Sequence, residues 1–350
     1  MNPYETLPST AFWKNGVVSA NPYRMDGIYR KKFAIDRTAR IATAGSCFAQ
    51  HISRHLKKNG YRVLDVEPAP PGLPREKHLE FGYGTYSARY GNIYTTRQLL
   101  QLVREVAGEF IPENVAWQKG DRFVDAMRPA VEPKGLQSPS EVTLHRRHHI
   151  KMVEKLFKQL DIFIFTLGLT ETWLHRSTGT VYPTAPGTIA GTFSADDFVF
   201  QNENYDDVLE AFEQCQEIIT RIRGGRPFKV ILTVSPVPLT ATATGNHVLV
   251  ATSYSKSVLR SVAGTLSARH EHIDYFPSYE IVTNPRLHST AFADNLRSVR
   301  DETVEFVMGH FFSEHPPVAP SKDAPNEESA GDEANEDVQC EEALLEAFGR

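Results

Sequence analysis

Short apolar segments alternate with segments of helical spacing through most of this chain, and no other feature of the sequence restricts the fold as much. The apolar segments are RIATAGS (40–46), YRVLDVE (61–67), DIFIFTLG (161–168), FKVILTVSP (228–236) and IDYFPSYEIV (273–282). Strands that lack a polar face must be covered on both sides, as they are in parallel sheets. The alternation therefore predicts an α/β fold in which helices cover a parallel sheet.

The segments between these five strands have the apolar spacing of helices. The predicted helices are 47–60, 95–110, 141–160, 204–225, 247–270 and 297–312. The first ends at Gly60 and the fourth at a double glycine, which are usual helix stop signals. Five parallel strands with such helices predict a three-layer, flavodoxin-like sandwich. The long loops 67–95, 111–140 and 174–203 are expected to be functional insertions.

The C-terminal segment differs in composition from the rest of the chain. Residues 316–339 contain many proline, alanine and acidic residues, which predicts disorder. Residues 319–350 carry ten acidic and two basic residues, a charge of −8, so the remainder carries +3 of the total −5. We expect an N-terminal extension that packs on the domain (1–34), one α/β domain (35–313), and an acidic, mostly disordered tail (314–350) that is a candidate for binding a protein partner.

Composition argues against several classes of protein. No apolar run reaches the roughly 20 residues of a membrane helix, and the N-terminus lacks the features of a signal peptide, so we expect a cytoplasmic location without a membrane span. The domain has no concentrated basic face, which argues against nucleic-acid binding. Three scattered cysteines, Cys47, Cys215 and Cys340, predict reduced thiols and no metal site. No cofactor-binding motif is present, and we expect no cofactor.

The segment ATAGSCFAQHI (42–52) places two candidate nucleophiles, Ser46 and Cys47, between the first strand and the first helix. Ligands of open α/β sheets bind beyond the carboxyl ends of the strands, and the free N–H groups of a helix's first turn suit an oxyanion. Ser46 is therefore a candidate nucleophile. The alternative is that Gly45 and Ser46 only form the turn and cap the helix. Cys47 is expected to point under the helix.

The string GSCFA (45–49) resembles the motif that gives the GSCFA domain family its name, and DIFIFTLGLTETW and TVSPVPLT support the resemblance. It covers roughly residues 35–313. That family is similar to the SGNH/GDSL-type esterases and lipases, so the resemblance implies an SGNH-hydrolase-like fold. The members that look most like this chain tend to occur beside bacterial capsule or exopolysaccharide genes, which implies polysaccharide biosynthesis.

The resemblance also implies roles for individual residues. Ser46 corresponds to the nucleophile, and Gly91, with Asn92 beside it, to the glycine of the oxyanion hole. The third SGNH motif falls on Gly168–Glu171, where Thr170 and Glu171 replace the usual Asn and Asp. A threonine hydroxyl can donate a hydrogen bond, whereas an ionised glutamate cannot. Glu171 is thus interpreted as an acid–base or sugar-binding group, although both residues equally suit capping of the next segment.

The last SGNH motif departs most from the family pattern. The stretch Asp294–Arg297 carries arginine where SGNH enzymes have their catalytic histidine. Arginine stays protonated and cannot act as a general base. The candidates to replace it are, in order, His247, His288 and His175. Glu171 or Asp294 is the candidate to orient the base, and a surface position remains the alternative for each histidine.

Arg297 has a second interpretation, because with Ser46 and Thr170 it suits bidentate binding of a phosphate or carboxylate. Aromatic side chains near the motifs suit stacking on sugar rings but are equally compatible with a core. They are Tyr86, Tyr90, Tyr94, Trp173 and Tyr182.

Two functions follow from these residues. The first is an SGNH-like serine esterase or O-acyltransferase that acts on a carbohydrate or polysaccharide precursor, or another acylated small molecule, through an acyl-serine intermediate. The second is a catalytically degenerate SGNH-like module that binds carbohydrate or a protein partner. The arginine at position 297 favours the second.

The composition of the tail generates a testable prediction. Deleting residues 316–350 should leave the urea midpoint of unfolding unchanged, because an acidic segment whose large apolar residues are confined to Leu344, Leu345 and Phe348 buries little surface. Denaturation followed by circular dichroism checks this. A lower midpoint, or loss of the cooperative transition, would show that the tail belongs to the folded domain.

Overall fold

The computed structural model describes residues 2–21, 23–317 and 341–349, without the side chains of residues 288, 289 and 341–343. The strands are β1 (Ile41–Gly45), β2 (Ala116–Lys119), β3 (Arg122–Asp125), β4 (Ile162–Leu167), β5 (Glu171–His175), β6 (Val181–Tyr182), β7 (Phe198–Asn202), β8 (Lys229–Val234) and β9 (Ile273–Tyr275). The α-helices are α1 (Phe48–Lys58), α2 (Thr96–Val106), α3 (Pro139–Gln159), α4 (Tyr205–Ile222), α5 (Val248–Arg269), α6 (Ser278–Val282), α7 (His288–Ala291) and α8 (Asp301–Glu314).

A parallel sheet in the order β1-β4-β8-β9 forms the centre of the domain. Every residue of β1 and β4 is buried, so neither strand presents a polar face. Ile162 and Ile164 of β4 pack into one hydrophobic cluster, and Phe163 and Phe165 into another on the opposite face. This alternation confirms the predicted α/β fold with a parallel sheet covered on both faces.

The prediction of five strands was wrong by one. Segment 61–67 forms only a single parallel bridge, between Val63 and Ile41. Beyond the bridge, Ser87 occupies the outer edge of β1, because the Thr43 N–H donates to Ser87 Oγ at 2.9 Å. The N–H of Val66 then donates to the Ser87 carbonyl. The second segment therefore leaves the sheet after one bridge. The last predicted strand (273–282) is also shorter, since α6 begins at Ser278.

With the Val63 bridge included, the segments follow the order of a flavodoxin-like sheet, in which the second segment lies outside β1. Side chains of α1, α6 and α8 pack on one face, and those of α2 to α5 on the other. The chain thus changes faces between β1 and β4. At such a switch point the connections diverge and leave a crevice at the carboxyl ends of the two strands. Ser46 follows β1 there, and Gly168 follows β4.

Two of the long loops contain strands of their own. Residues 111–140 include the β2–β3 hairpin, and residues 174–203 contribute to an antiparallel sheet in the order β6-β5-β7. Trp117 stacks on Tyr182 with ring centroids 4.9 Å apart, which joins the hairpin to β6. Buried Arg146 pairs with Asp125 of β3 and with Glu105 of α2. These contacts fix the insertions to the helical layer of α2 and α3.

The N-terminal residues contact the α/β domain at several points. The Tyr29 hydroxyl donates to Asp274 at 2.9 Å in a buried position, and Arg286 donates to the carbonyls of Val17, Val18 and Ala20. Of the predicted tail, residues 318–340 lie outside the described residues and Glu341–Phe348 form a 3-10 helix. Cys47 and Cys215 are buried and take part in no disulfide within the described residues, while Cys340 lies outside them. In the described residues, no helix is long and apolar enough to span a bilayer.

The end of β1 yields a prediction about Gly45, which has a φ of +136°. A Cβ at Gly45 would lie 2.5 Å from the Thr166 carbonyl oxygen, whereas a Cβ at Gly72, with φ +106°, would meet no atom within 4 Å. G72A should therefore carry only backbone strain, about 1–3 kcal/mol. G45A should lose a further ~1–3 kcal/mol from overpacking. Urea denaturation of both variants measures the difference, and equal losses would contradict the collision.

Candidate active site at the carboxyl edge of the sheet

Ser46 occupies the crevice between β1 and β4. Its N–H donates to the Thr166 carbonyl at 3.2 Å, the residue is 2% exposed, and its hydroxyl has no hydrogen-bond partner among the described residues. A buried hydroxyl without a partner costs about 1–3 kcal/mol. Other buried hydroxyls, such as that of Ser53, share this property, so its place at the switch point is what distinguishes Ser46.

The turn after β1 does not use the Ser46 side chain to cap helix α1. Cys47 is the N-cap residue of α1, and no side chain caps the helix. The Ser46 carbonyl accepts the N–H of Ala49, while its hydroxyl stays unbonded. The alternative in which the Ser46 side chain caps the helix is therefore wrong. Cys47 itself is buried.

The segment that contains Gly91 and Asn92 lies alongside this turn. The N–H of Ile93 donates to the Gly45 carbonyl at 2.9 Å. The Tyr86 hydroxyl lies 3.1 Å from the Ser46 carbonyl and 2.5 Å from Asn92 Oδ1, so its single proton bonds one of the two. The structure thus brings together the first two motifs of the family resemblance.

Two backbone donors near Ser46 are unpaired within the part of the chain that the structure describes. They are the N–H groups of Phe48, the first residue of α1, and of Gly91. Gly91 has a φ of +69°, a conformation that glycine adopts without strain. Free N–H groups at a helix start favour negative charge, so these two are the candidate oxyanion donors.

The third motif, Gly168–Glu171, forms a wall of the crevice. A Cβ at Gly168 would lie 2.9 Å from Ser46 Cβ, so the wall contacts Ser46. The N–H groups of Gly168 and Leu169 both donate to the Tyr94 carbonyl, and that of Thr170 donates to Ser255 Oγ. Thr170 Oγ1 donates to Asn202 at 2.6 Å. Because these N–H and O–H groups already donate to other acceptors, the wall shapes the crevice, and an oxyanion would have to be bound by other groups.

The two candidate carboxylates lie away from the Ser46 hydroxyl, which neither bonds. Glu171 accepts hydrogen bonds from Thr242 Oγ1 and the Ala243 N–H, and burial raises the pKa of its carboxyl despite these two donors. It therefore anchors the loop before α5. Asp294 is fully exposed beside Arg300, with the nearest atoms 3.4 Å apart.

Two of the candidate histidines make contacts with residues other than Ser46. His247 is exposed, and its Nδ1 accepts the Leu249 N–H at the start of α5. His175, on β5, contacts Thr178 Oγ1. His288 begins α7 and its side chain lies outside the described residues. Among the described imidazoles, none bonds the Ser46 hydroxyl.

Arg297 is buried beside the loop that follows β8. Its Nε donates to the Pro238 carbonyl at 3.3 Å. The residue before it, Leu296, has a φ of +51° and is exposed. This backbone turn directs position 297 toward the loop at the carboxyl end of β8, on the same edge of the sheet as Ser46.

Two polar residues on the buried face of α5 were not among the residues predicted from the sequence. Lys256 is 1% exposed and its Nζ donates to the Gly168 carbonyl at 2.7 Å, while Ser255 Oγ accepts from Thr170. Both lie on the helical face that also carries Ala251 and Leu259. A lysine within an otherwise apolar helical stripe was the signal that would have identified this site.

The aromatic residues divide between core and surface. Tyr86, Tyr90 and Tyr94 are buried, and Tyr182 is buried against Trp117. By contrast, Trp173 is half-buried and packs edge-to-face on Phe193, which is 46% exposed. Of the five candidates for sugar stacking, Trp173 is therefore the one with an accessible ring. No group of three or more metal-ligating residues is present in the described ranges.

Comparisons with known proteins identify one family. The model of the GSCFA family matches residues 40–311, more than half of the chain. No curated protein matches the sequence. Among solved structures, the chain is similar to a carbohydrate esterase family 3 from Talaromyces cellulolyticus at 10% identity, covering 79% of this chain and 96% of that one. The TM-score of 0.29 is too low for that likeness to support a conclusion about this chain.

Glu203, behind Thr170, yields a prediction about pH. Its N–H donates to the Thr170 carbonyl, and its carboxylate accepts from Arg97 Nε at 2.7 Å. Burial raises the pKa of Glu203 to about 7, against the opposing effect of Arg97. At pH values between the ordinary pKa of 4.5 and the raised pKa of about 7, the carboxyl group of Glu203 is ionised in the unfolded chain but protonated in the folded chain. Stability contributed by the protonated group should therefore be lost as pH rises through this window.

E203Q should remove that loss, so its free energy of unfolding relative to wild type should increase from pH 4.5 to 7 and then level off. Urea denaturation across this range measures the difference. E217Q removes an exposed carboxyl of α4 and serves as the matched control. A difference that is independent of pH would contradict the assignment.

Proposed function

The chain belongs to the GSCFA family, and from that premise we propose that Ser46 is the nucleophile of an ester hydrolase or O-acyltransferase. The observation that carries this proposal is the position of the Ser46 hydroxyl. It lies at the switch point of a parallel sheet, without a protein partner, beside two unpaired backbone donors. Nucleophile, oxyanion donors and a close-fitting wall are the parts that acyl transfer requires.

The chemistry follows from these positions. Ser46 Oγ attacks the carbonyl carbon of an ester as its proton passes to a base. The negative charge that develops on the carbonyl oxygen is stabilised by the N–H groups of Phe48 and Gly91 and by the start of α1. Collapse of this intermediate expels the alcohol, which takes the proton, and leaves an acyl-serine. Water then yields the free acid, whereas a second hydroxyl compound yields a new ester.

A carbohydrate or polysaccharide precursor is the proposed substrate. The accessible ring of Trp173 on β5 and the adjoining ring of Phe193 offer a stacking surface. Trp173 lies two residues beyond Glu171, where the wall of the crevice ends. Such rings suit the apolar face of a sugar. The family resemblance to proteins encoded beside polysaccharide genes supports the same class, and a role in the biosynthesis of such precursors suits a cytoplasmic location.

A non-catalytic binding module is the second candidate function. It is favoured by Arg297, which replaces the expected histidine, and by the contacts that His247 makes with the start of α5 and His175 with Thr178. In that case Arg297 would bind an anionic group of the ligand at the sheet edge. The two functions differ in whether Ser46 is activated, which a covalent probe measures directly.

Wild-type protein should be labelled at Ser46 by a fluorophosphonate probe and should hydrolyse p-nitrophenyl acetate. S46A should lose the labelling completely, since no other atom replaces Oγ. S53A is the matched control, because it removes another buried, unpartnered serine hydroxyl from α1, and it should label like wild type. Mass spectrometry of the labelled peptide checks the site. Absence of labelling in wild type would favour the binding module.

A further inference from the structure

A buried lysine stands behind the wall of the crevice. Lys256 belongs to α5, on the face that also buries Leu259 and Val262, and 1% of its surface is exposed. Lysines are rarely buried to this degree because the ammonium group loses its hydration. Its position therefore needs a reason, and packing of the helix alone would be served better by an apolar residue.

Gly168 contacts both Lys256 and Ser46. Its carbonyl oxygen accepts from Lys256 Nζ at 2.7 Å, and its Cα faces Ser46, because an added Cβ would lie 2.9 Å from Ser46 Cβ. As a glycine, it places no side chain between the amine and the hydroxyl. Ser255 holds the other end of this wall through the Thr170 N–H. Adjacent residues of α5 thus fix the wall against Ser46.

We infer that Lys256 is the general base that accepts the proton of Ser46, in the role that SGNH enzymes give to histidine. This inference rests on the proposed nucleophilic function of Ser46. Serine–lysine pairs perform acyl transfer on other folds, and the role of base requires the neutral form of the amine. Arg297 cannot accept a proton, and His247 uses Nδ1 to cap α5 at the surface.

The proton balance is simple. The lone pair of neutral Lys256 Nζ takes the Ser46 Oγ–H proton as Oγ forms its bond to the carbonyl carbon. The resulting ammonium returns that proton to the departing alkoxide when the C–O bond breaks. In the second half, Nζ takes a proton from the attacking water or acceptor alcohol and returns it to Ser46. In the resting structure Nζ bonds the Gly168 carbonyl, and catalytic hydrogen bonds often tighten only when substrate is bound.

The decisive variant is K256R. Arginine can still donate to the Gly168 carbonyl, but it stays protonated and cannot accept a proton. We expect the rate of fluorophosphonate labelling at Ser46 to fall by about 10²–10⁴-fold, the usual contribution of a general base, with a melting temperature near that of wild type. S253A is the matched control: it removes a side-chain hydrogen bond of α5 outside the wall, from Ser253 Oγ to the Leu249 carbonyl, and it should be labelled at the wild-type rate.

K256A distinguishes a general base from a purely structural lysine, because only a missing base can be replaced by an added amine. Truncation leaves space for a small amine, and ethylamine should restore labelling in proportion to its free-base concentration, whereas ethanol should not. If K256A does not fold, K256R alone decides the question.

The outcomes separate the inference from the function on which it rests. Wild-type protein that is not labelled at Ser46 overturns the proposed function itself. Labelling of wild type together with K256R labelling within about threefold of that rate overturns only the role of Lys256. Folded K256A that shows no dependence on amine also overturns it, because Lys256 would then act only by positioning Gly168. Loss of labelling in H288N with retention in K256R would return the role to histidine.

Discussion

The close approach of β1 to β4 is the contact on which the rest of this structure depends. Gly45 ends β1 so near to the main chain of Thr166 that a Cβ would lie 2.5 Å from its carbonyl oxygen. Because the two backbones meet without an intervening side chain, the residues that follow them also meet. Ser46 and Gly168 therefore come into contact at the switch point, and α1 begins directly beside them.

Most of the fold was predictable from the sequence, because strand and helix periodicity is a local property. Four of the five predicted strands and the six long predicted helices are present, with small differences at their ends. The second strand failed for a reason that no local pattern contains. Ser87, more than forty residues from Thr43, takes the hydrogen bonds at the edge of β1. Competition from a distant segment decides whether an apolar run completes a strand.

The site was predictable in part. GSCFA and the carboxyl-edge rule identified Ser46, and the family resemblance pointed to Gly91 and Gly168, which the fold brings to the same crevice. Tertiary contacts could not be derived in this way. Glu171 anchors the loop at Thr242, and His247 caps a helix. In the sequence alone, a glutamate or histidine with such a structural role cannot be distinguished from a catalytic one. Lys256 was overlooked because a lysine in a helix is usually solvated, although its place within the buried stripe of α5 was a signal in the sequence.

The missing second strand has a consequence for how the protein behaves in solution. An open edge of a sheet is a template onto which another chain can add a strand. Here the outer edge of β1 is closed first by Val63 and then by the side chain and main chain of Ser87. A buried cluster behind Ser87 holds that cover, since Glu67 accepts from the Arg89 N–H and contacts His149. The strand that presents Ser46 is thereby protected from edge-to-edge association with other copies.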